Sequence, residues 1–425
     1  MEHESSSQGT RNTFENKDII KELAERLSLV SAAIVGLVYA YNQLLPAHKF
    51  LAKWVVWMAI LYITTYLFNR SVSRLGRILR PLAFGILVLA ALVLGVLQTR
   101  ETIAVEKQRD LLADFERKLR GPALWVAYEP AGYDPYAVPR TYGTLEQIGT
   151  ELETLRSAGV TGIITFSSEA ILAEIPRLSK RIGFRGVVMG IYDVSSKSEL
   201  QAAFAARDFV DAYCVGHMFT DTNALSEQEI LDAIGWLRDR TRKPLSTTLR
   251  PSGYSAFRAL ADAADWFFPD VHGNWYNNAS GGDVLTQTKA FVSELAQLQR
   301  EFPEKPILLK MISLPSEGVP GATTREQYQF FRSVVEYTKS DVGFPERIYP
   351  SYFSAYDLSW KKPSKKWPAG ERHTGFFEAN LMPKMACVEG KKVRVIDALK
   401  WSRTSTPTEE PTAVTVQANQ QADDC

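Results

Sequence analysis

Between residues 124 and 353, short runs rich in β-branched and apolar residues alternate with amphipathic stretches of helical character. The eight short runs are 124–128, 162–166, 186–191, 212–218, 245–249, 266–271, 307–312 and 348–353. Strand–helix alternation repeated eight times, over the roughly 250 residues that the architecture needs, predicts an α/β fold, a closed (β/α)8 TIM barrel. An open doubly wound sheet is the competing interpretation, but no Gly-rich phosphate loop follows the first run.

The longest apolar runs of the 425-residue chain lie before residue 100, outside this repeat. Three of them, at 27–45, 50–68 and 81–97, have about the length, roughly 17–20 residues, that crosses the hydrocarbon core of a bilayer. We therefore predict three transmembrane helices over residues 27–98, which makes the chain membrane-embedded. A soluble helical bundle is the alternative interpretation.

Loop charge predicts the orientation of these helices. Residues 69–80 carry four arginines and no acidic residue, so the positive-inside rule places this loop and the amino-terminal segment 1–26 in the cytoplasm. The chain is then a multi-pass protein of the cell (inner) membrane whose barrel, residues 121–390, is periplasmic or otherwise extracytoplasmic. A charged helical stalk is predicted at 99–120, and a disordered carboxyl-terminal tail, rich in Thr, Pro and Gln, at 391–425.

Composition argues against some classes of partner and cofactor. Lys and Arg number 49 against 48 acidic residues, so no strong net charge attracts nucleic acid. The three cysteines, Cys214, Cys387 and Cys425, have neither metal-ligand spacing nor a disulfide framework, although one bridge is possible in an oxidising compartment. His217 and His272 could face each other across the barrel, but no third ligand has a recognisable spacing. We therefore predict no metal and no cofactor.

Aromatic side chains accompany carboxylates at the predicted carboxyl ends of the strands, where (β/α)8 barrels place their functional residues. Aromatic rings stack on the C–H faces of a pyranose, and polar side chains bond its hydroxyls. Each aromatic residue alone could equally be a core residue, but together they predict a sugar-binding groove. The predicted substrate-binding residues are Phe166, Tyr192, His217, His272, Trp275, Tyr276, Tyr356 and Trp360. Glu129 and Asp193 also follow predicted strands.

Three motifs of the predicted barrel occur in an informative order. Ala127-Tyr-Glu-Pro130 closes the first run, Ser354-Ala-Tyr-Asp-Leu-Ser-Trp-Lys361 follows the eighth, and Glu371-Arg-His-Thr-Gly-Phe-Phe377 comes shortly after it. In sequence and spacing they resemble glycoside hydrolase family 17, especially its bacterial β-1,3-glucan-active members. The second motif is similar to that family's Phe-Asp-Glu-x-Trp-Lys signature. The resemblance extends from about residue 124 to residue 384 and implies a β-glucan-type polysaccharide or oligosaccharide as ligand.

The resemblance also indicates where catalytic residues would be expected. The family's acid/base ends the motif Val-Gly-Asn-Glu, and its nucleophile begins Glu-x-Gly-Trp-Pro-Ser. Val215-Gly-His-Met218 and Met311-Ile-Ser-Leu-Pro-Ser316 match these motifs with methionine in both catalytic places. A thioether neither transfers a proton nor readily attacks a sugar carbon, so we predict that both catalytic groups are missing. Relocated carboxylates are the alternative, and the candidates are Asp270, Asp357, Asp221 and Glu317.

Three hypotheses about function follow from these observations. The preferred one is a catalytically inactive, membrane-anchored barrel that binds or senses a β-glucan-type polysaccharide outside the cytoplasm, beside a membrane polysaccharide synthase or export partner. The second is an active glucan hydrolase or transglycosylase that uses relocated carboxylates. The third is a protein-interaction module of a membrane polysaccharide complex.

Overall fold

The structure is a computed structural model that describes residues 106–120, 124–216, 225–270, 284–339, 346–363 and 368–400, with backbone only at 284–291 and 337–339. The predicted cytoplasmic segment, the three predicted transmembrane helices and residues 401–425 lie outside the described residues. Within the described ranges, no helix is both long enough and apolar enough to cross a membrane.

Short strands and helices alternate along the chain. In chain order the elements are α1 (residues 106–119), β1 (Trp125–Ala127), β2 (Tyr133–Asp134), β3 (Thr141–Tyr142), α2 (Leu145–Ser157), β4 (Gly162–Ile164), α3 (Ile175–Ile182), β5 (Gly186–Ile191), α4 (Lys197–Ala205), β6 (Ala212–Val215), α5 (Glu227–Thr241), β7 (Leu245–Ser246), α6 (Pro251–Ala256), α7 (Arg258–Ala263), α8 (Val284–Glu301), β8 (Ile307–Leu308), α9 (Thr324–Lys339), β9 (Ile348–Tyr349), β10 (Met385–Val388) and β11 (Lys391–Arg394). Single turns of 3₁₀ helix occupy Ala170–Glu174, Arg207–Phe209, Ala369–His373 and Val395–Leu399.

Parallel strands form the centre of the fold. β1, β4, β5, β6 and β7 pair in that order in one sheet, and β8 pairs with β9. The extended segment 266–270 connects the two groups, since Asp270 N donates to Leu249 O and Leu308 N donates to Phe267 O. Beyond β9, Tyr352 N donates to Trp125 O of β1. We call these eight segments the strand ring. The predicted α/β class is confirmed.

Sequence explains the local structure of these elements. β5 reads Gly-Val-Val-Met-Gly-Ile and is buried along its whole length, as expected for a parallel strand covered on both faces. Thr144 and Gln147 form a reciprocal capping box at the start of α2, and Ser226 does the same with Glu229 at α5. These caps fix where the outer helices begin.

The amino-terminal end of the strand ring, its bottom, is closed by α1. Phe115 and Leu119 are buried in one cluster with residues of β1, β4, β5, β6, β8 and the segment 266–270. The Phe115 ring lies 6.2 Å from that of Trp125 and 5.1 Å from that of Trp266, centroid to centroid. α1 therefore supplies part of the ring's interior.

The Trp125 indole fills the space just inside the bottom of the strand ring. A Cβ atom at Gly162 would lie 2.2 Å from this indole, and one at Gly186 would lie 2.4 Å from it. Both distances are far below any tolerable contact, so β4 and β5 must carry glycine where the indole crosses them.

Ion pairs fasten α1 to the bottom of the strand ring. Glu116 accepts hydrogen bonds from Arg347 Nε at 2.9 Å and from the Tyr349 hydroxyl at 2.8 Å. Lys118 Nζ donates to Asp211 Oδ1 at 2.7 Å. The contacts between residues accordingly group α1, from Lys107 onwards, with the rest of the domain in one compact unit. The segment predicted as a stalk is thus packed against the domain from residue 107 onwards.

The carboxyl-terminal boundary of the domain also differs from the prediction. Residues 391–400 were expected to belong to a disordered tail, but β11 pairs with β10 in an antiparallel hairpin. The following 3₁₀ turn buries Val395, Ile396 and Leu399. The prediction was wrong for these ten residues because their apolar side chains complete the outer core beside α9.

Candidate functional site

The carboxyl-terminal end of the strand ring, its mouth, has an apolar floor. We define the floor as one buried cluster, against which Trp360 packs: Ala127, Phe166, Met311, Phe353 and Leu358. Met311 is only 9 % exposed and has a left-handed backbone, with φ of 64°. The predicted binding residue Phe166 lies 6.1 Å from Phe353, ring centroid to ring centroid. The place after β8 where the resemblance led us to expect a carboxylate therefore contributes a thioether to an apolar surface.

Aromatic side chains flank one side of the floor. The hairpin β2–β3 follows β1 and brings Tyr133 to 6.4 Å and Tyr136 to 5.6 Å from Trp360, between ring centroids. Tyr142 lies 5.8 Å from Tyr133. We call these four residues the aromatic cluster. Sequence reasoning identified Trp360 alone, although the dense tyrosine spacing at 133–142 was a usable signal.

A carboxyl group lies beneath this aromatic cluster. Glu129, at the end of β1, has a buried Oε2 with no hydrogen-bond partner of good geometry among the described residues. Burial raises the pKa of Glu129, and Glu371 adds to the rise, while the Lys361 ammonium and the Trp360 indole N–H oppose it. The neutral acid, which can both donate and accept, is therefore favoured relative to an exposed glutamate.

Lys361 connects two parts of the mouth. Its ammonium lies 3.4 Å from Glu371 Oε1 and 4.5 Å from the centroid of the Phe353 ring. Both Lys361 and Glu371 are almost fully buried. The positive charge of Lys361 and the negative charge of Glu371 therefore offset each other inside the mouth.

Of the carboxylates proposed as relocated catalytic groups, Asp270 is bound inside the strand ring. Its Oδ2 accepts from the almost fully buried Lys310 ammonium at 2.8 Å. Nearby, burial raises the pKa of the free thiol of Cys214 to about 12, which leaves it protonated and unreactive.

Two further candidate carboxylates, Asp357 and Glu317, line a pocket. It has a volume of about 520 Å³, lies beside β10 and is also lined by Ser316, Arg372, His373, Glu378 and Lys384. His373 Nδ1 lies 3.7 Å from Glu317 Oε2 and 3.8 Å from Asp357 Oδ2. Because both oxygens lie this close to the same nitrogen, they are at most 7.5 Å apart, and the structure brings two of the four candidate carboxylates together.

Asp357 is bound more firmly than Glu317. Lys384 Nζ donates to Asp357 Oδ1 at 2.7 Å, to Ser316 Oγ at 2.7 Å and to His373 O at 2.9 Å, so all three protons of its ammonium are used. Burial raises the pKa of Asp357 and lowers that of Lys384, and their mutual attraction opposes both shifts. Glu317, in contrast, has a side chain that is 71 % exposed.

Two predicted binding residues occupy different surroundings. Tyr192 is exposed at the end of β5. Tyr356 is completely buried, and its hydroxyl donates to Glu151 O at 2.7 Å. The prediction for Tyr356 was wrong because this side chain points to α2, into the outer core, and away from the mouth.

The remaining predicted site residues lie outside the described residues: His217, Met218, Asp221, His272, Trp275 and Tyr276. Sequence reasoning also missed Glu199, which accepts hydrogen bonds from Ser167 Oγ and from the backbone N–H groups of Ser168 and Tyr192. It organises the loops after β4 and β5. No three His, Cys, Asp or Glu side chains within the described ranges are grouped as metal ligands.

Comparison with known proteins gives only structural likenesses. No family model matches the chain, and a search of curated proteins finds no match. A glycoside hydrolase family 17 β-1,3-glucanosyltransferase from Rhizomucor miehei is similar at 14 % identity and a TM-score of 0.49, over 62 % of this chain and 96 % of that one. A β-1,3-glucanase and allergen of Cryptomeria japonica pollen is similar at 16 % identity and a TM-score of 0.47, over 61 % and 97 %.

A plant β-glucan endohydrolase is also similar, at 12 % identity and a TM-score of 0.45, over 61 % of this chain and 98 % of that one. Likenesses at these identities and TM-scores do not establish a family or an activity. The function has to be inferred from the residues of the site itself.

Proposed function

We propose that the strand ring is a (β/α)8 barrel whose mouth binds a neutral, β-glucan-type saccharide without cleaving it. The observation that carries the proposal is the combination of an apolar floor containing Met311 with the adjoining aromatic cluster around Trp360. A pyranose presents apolar C–H faces that such a surface can cover. The barrel is supported by the hydrogen bonding that joins each segment to the next and the last to the first.

Lack of catalysis is supported by the state of the carboxylates. Glycoside hydrolysis needs one protonated and one ionised carboxyl group facing the scissile bond. Near the mouth, Glu129 is a described carboxyl group with an oxygen that lacks a partner, whereas Asp270 is bound by Lys310 and Glu371 by Lys361. Glu129 alone does not supply the pair of carboxyl groups that the reaction needs. Met311 supplies no proton and no nucleophilic oxygen where the resemblance places the nucleophile.

We further propose that the chain is anchored in the inner membrane with this domain outside the cytoplasm, next to a polysaccharide synthase or export partner. The arginine-rich loop at 69–80 supports this orientation. Cys387 is disulfide-bonded, which is typical of proteins in oxidising compartments.

Calorimetric titration of the full-length protein with laminarin-type oligosaccharides tests the binding proposal. The wild-type chain is expected to bind saturably, and Trp360→Ala to weaken binding by about tenfold or more, because stacking on an aromatic ring is lost. Trp236→Ala is the matched control, since Trp236 is a half-buried tryptophan on α5 that stacks with Arg240. Absence of saturable binding by the wild-type chain overturns the proposal.

Turnover of the same oligosaccharides tests the lack of catalysis. The wild-type chain is expected to release no reducing ends, whereas restored cleavage by Met218→Glu/Met311→Glu would show that the mouth kept a productive geometry. Degradation by the wild-type protein at an ordinary enzymatic rate contradicts this part of the proposal.

Relocated catalysis is a second candidate because Asp357 and Glu317 line one pocket and each has a carboxylate oxygen within 3.8 Å of His373 Nδ1. The oxygens of the two carboxylates are at most 7.5 Å apart, which is below the upper limit of roughly 9.5 Å for the carboxyl groups of glycosidases. It predicts wild-type turnover that both Asp357→Asn and Glu317→Gln abolish. Turnover that either variant retains in full excludes this pair.

A further inference from the structure

Glu129, at the end of β1, has a buried carboxyl oxygen that lacks a hydrogen-bond partner among the described residues, a property that it shares with Glu326 in the first turn of α9. A buried polar atom without a partner destabilises a fold, so its retention calls for an explanation. Glu129 is only partly buried as a residue, although its Oε2 itself has almost no exposed surface.

Neighbouring buried carboxylates do not share this feature. Glu151, on the adjacent helix α2, accepts from the Tyr128 hydroxyl at 2.7 Å and from Ala131 N. Glu371 is paired with Lys361. The fold therefore supplies partners for carboxylates on both sides of Glu129, which indicates that the unsatisfied oxygen is a local property of this position.

The surroundings of Glu129 resemble a binding subsite more than a core. The Trp360 indole is close enough to influence the carboxyl group, and Tyr133 and Tyr136 pack against Trp360. Tyr136 is more than half exposed, so one flank of the aromatic cluster is open to solvent. A ligand resting on these rings would lie beside the carboxyl group.

We propose that Glu129 is the polar anchor of a saccharide subsite in which its carboxyl group hydrogen-bonds a hydroxyl of a pyranose unit stacked on the aromatic cluster. The inference rests on the proposed function and names where one sugar unit binds. It assigns the subsite to the side of the mouth between β1 and the loop after β9.

Charge identifies the class of sugar. Lys361 and Glu371 neutralise each other, and burial favours the neutral form of Glu129. A uronate would meet Glu371 and Glu129 without an available cation, and an amino sugar would meet the Lys361 ammonium. The subsite therefore fits a neutral hexopyranose.

Two substitutions in the full-length protein test the assignment with laminarin-type oligosaccharides by calorimetry. Glu129→Leu removes both hydrogen-bonding atoms and is expected to weaken binding by about tenfold, while the melting temperature stays unchanged or rises because an unsatisfied buried oxygen is removed. Glu129→Gln keeps a donor and an acceptor and is expected to bind within about threefold of wild type. Glu153→Leu, at an exposed position of α2, is the control and should change neither quantity.

The outcomes separate the two proposals. If the wild-type chain binds and Glu129→Leu binds with the same affinity, the subsite assignment is overturned and the proposed function stands. The stoichiometry of the titration gives the folded fraction of Glu129→Leu. If this variant melts at a lower temperature while its folded fraction binds with wild-type affinity, Glu129 is a structural residue and the assignment is likewise overturned. Absence of wild-type binding instead removes the proposed function.

Discussion

The two ends of the strand ring differ in the hydrogen bonding of a glutamate carboxyl group. At the bottom, Glu116 of α1 accepts from Arg347, Arg120 and Tyr349, and these hydrogen bonds outweigh burial and lower its pKa. At the mouth, Glu129 keeps an unsatisfied oxygen, and burial raises its pKa. The bottom satisfies its carboxylate with three hydrogen bonds, whereas the mouth keeps a carboxyl oxygen that no described residue satisfies.

The largest expected effect tests the bottom. Phe115→Ala should lower the free energy of unfolding by about 4 kcal/mol, because it opens a cavity against Trp125 and Trp266 in the interior of the strand ring. Denaturant titration followed by circular dichroism measures this change. Leu145→Ala, at an exposed position, is the control. A loss below about 1 kcal/mol would mean that α1 is not an integral part of the domain.

The pocket beside β10 is next in expected size. Lys384→Met should cost about 3 kcal/mol, because it leaves the largely buried Asp357 without its cation. Adding Asp357→Asn to the same variant should recover most of the loss, since the uncompensated charge is removed. A double-mutant cycle of unfolding free energies measures the coupling, and additive effects of the two substitutions would contradict the pairing.

A smaller effect of opposite sign is expected at the mouth. Glu129→Gln should raise the free energy of unfolding by about 1 kcal/mol at neutral pH. The pKa of Glu129 is raised in the folded state. The contribution of this group to the free energy of unfolding is therefore fully present below its unfolded-state pKa and is lost as pH rises through its folded-state pKa. The stability that Glu129→Gln gains over the wild type should therefore increase as pH rises from the unfolded-state pKa to the folded-state pKa of Glu129. Lys361, Glu371 and Tyr133 are the titratable groups that face Glu129 and remain in both proteins.

If the stability of the wild type and that of Glu129→Gln depend on pH in the same way, Glu129 is not the titrating group. Melting temperatures across a pH series give the comparison directly, and Glu153→Gln on the exposed face of α2 serves as the matched control.

The smallest effect is expected at Glu317. Its side chain is 71 % exposed, and its approach to His373 is longer than a hydrogen bond, so Glu317→Gln should change the free energy of unfolding by less than about 0.5 kcal/mol. A larger loss would indicate that the Glu317–His373–Asp357 arrangement stabilises the fold, as the ion pairs at the bottom of the strand ring do.

Sequence patterns predicted the fold better than the site. Apolar runs identify strands because burial on both faces leaves a continuous signal, and β5 coincides with its predicted run. The packing of α1 was missed because its charged surface resembles a solvated stalk, although Glu116 and Lys118 have distant partners that no local pattern contains.

The site was harder because its composition depends on register and on long-range pairing. Tyr356 and Trp360 follow the same strand, yet one enters the outer core and the other faces the mouth. Likewise, no local sequence pattern around Asp357 predicts its partner Lys384, whose ammonium the fold brings to 2.7 Å from Asp357 Oδ1. Such pairs follow from tertiary packing, so residue type and strand position alone could not assign roles.

The crossing of Trp125 over Gly162 and Gly186 links three positions that are distant in sequence. Evolution cannot enlarge either glycine while the indole remains, nor shrink the tryptophan without leaving a void that bulkier residues on the neighbouring strands would have to fill. Divergent descendants of this chain should therefore change the three positions together. A protein with leucine at the position of Trp125 should carry alanine or valine at the positions of Gly162 and Gly186.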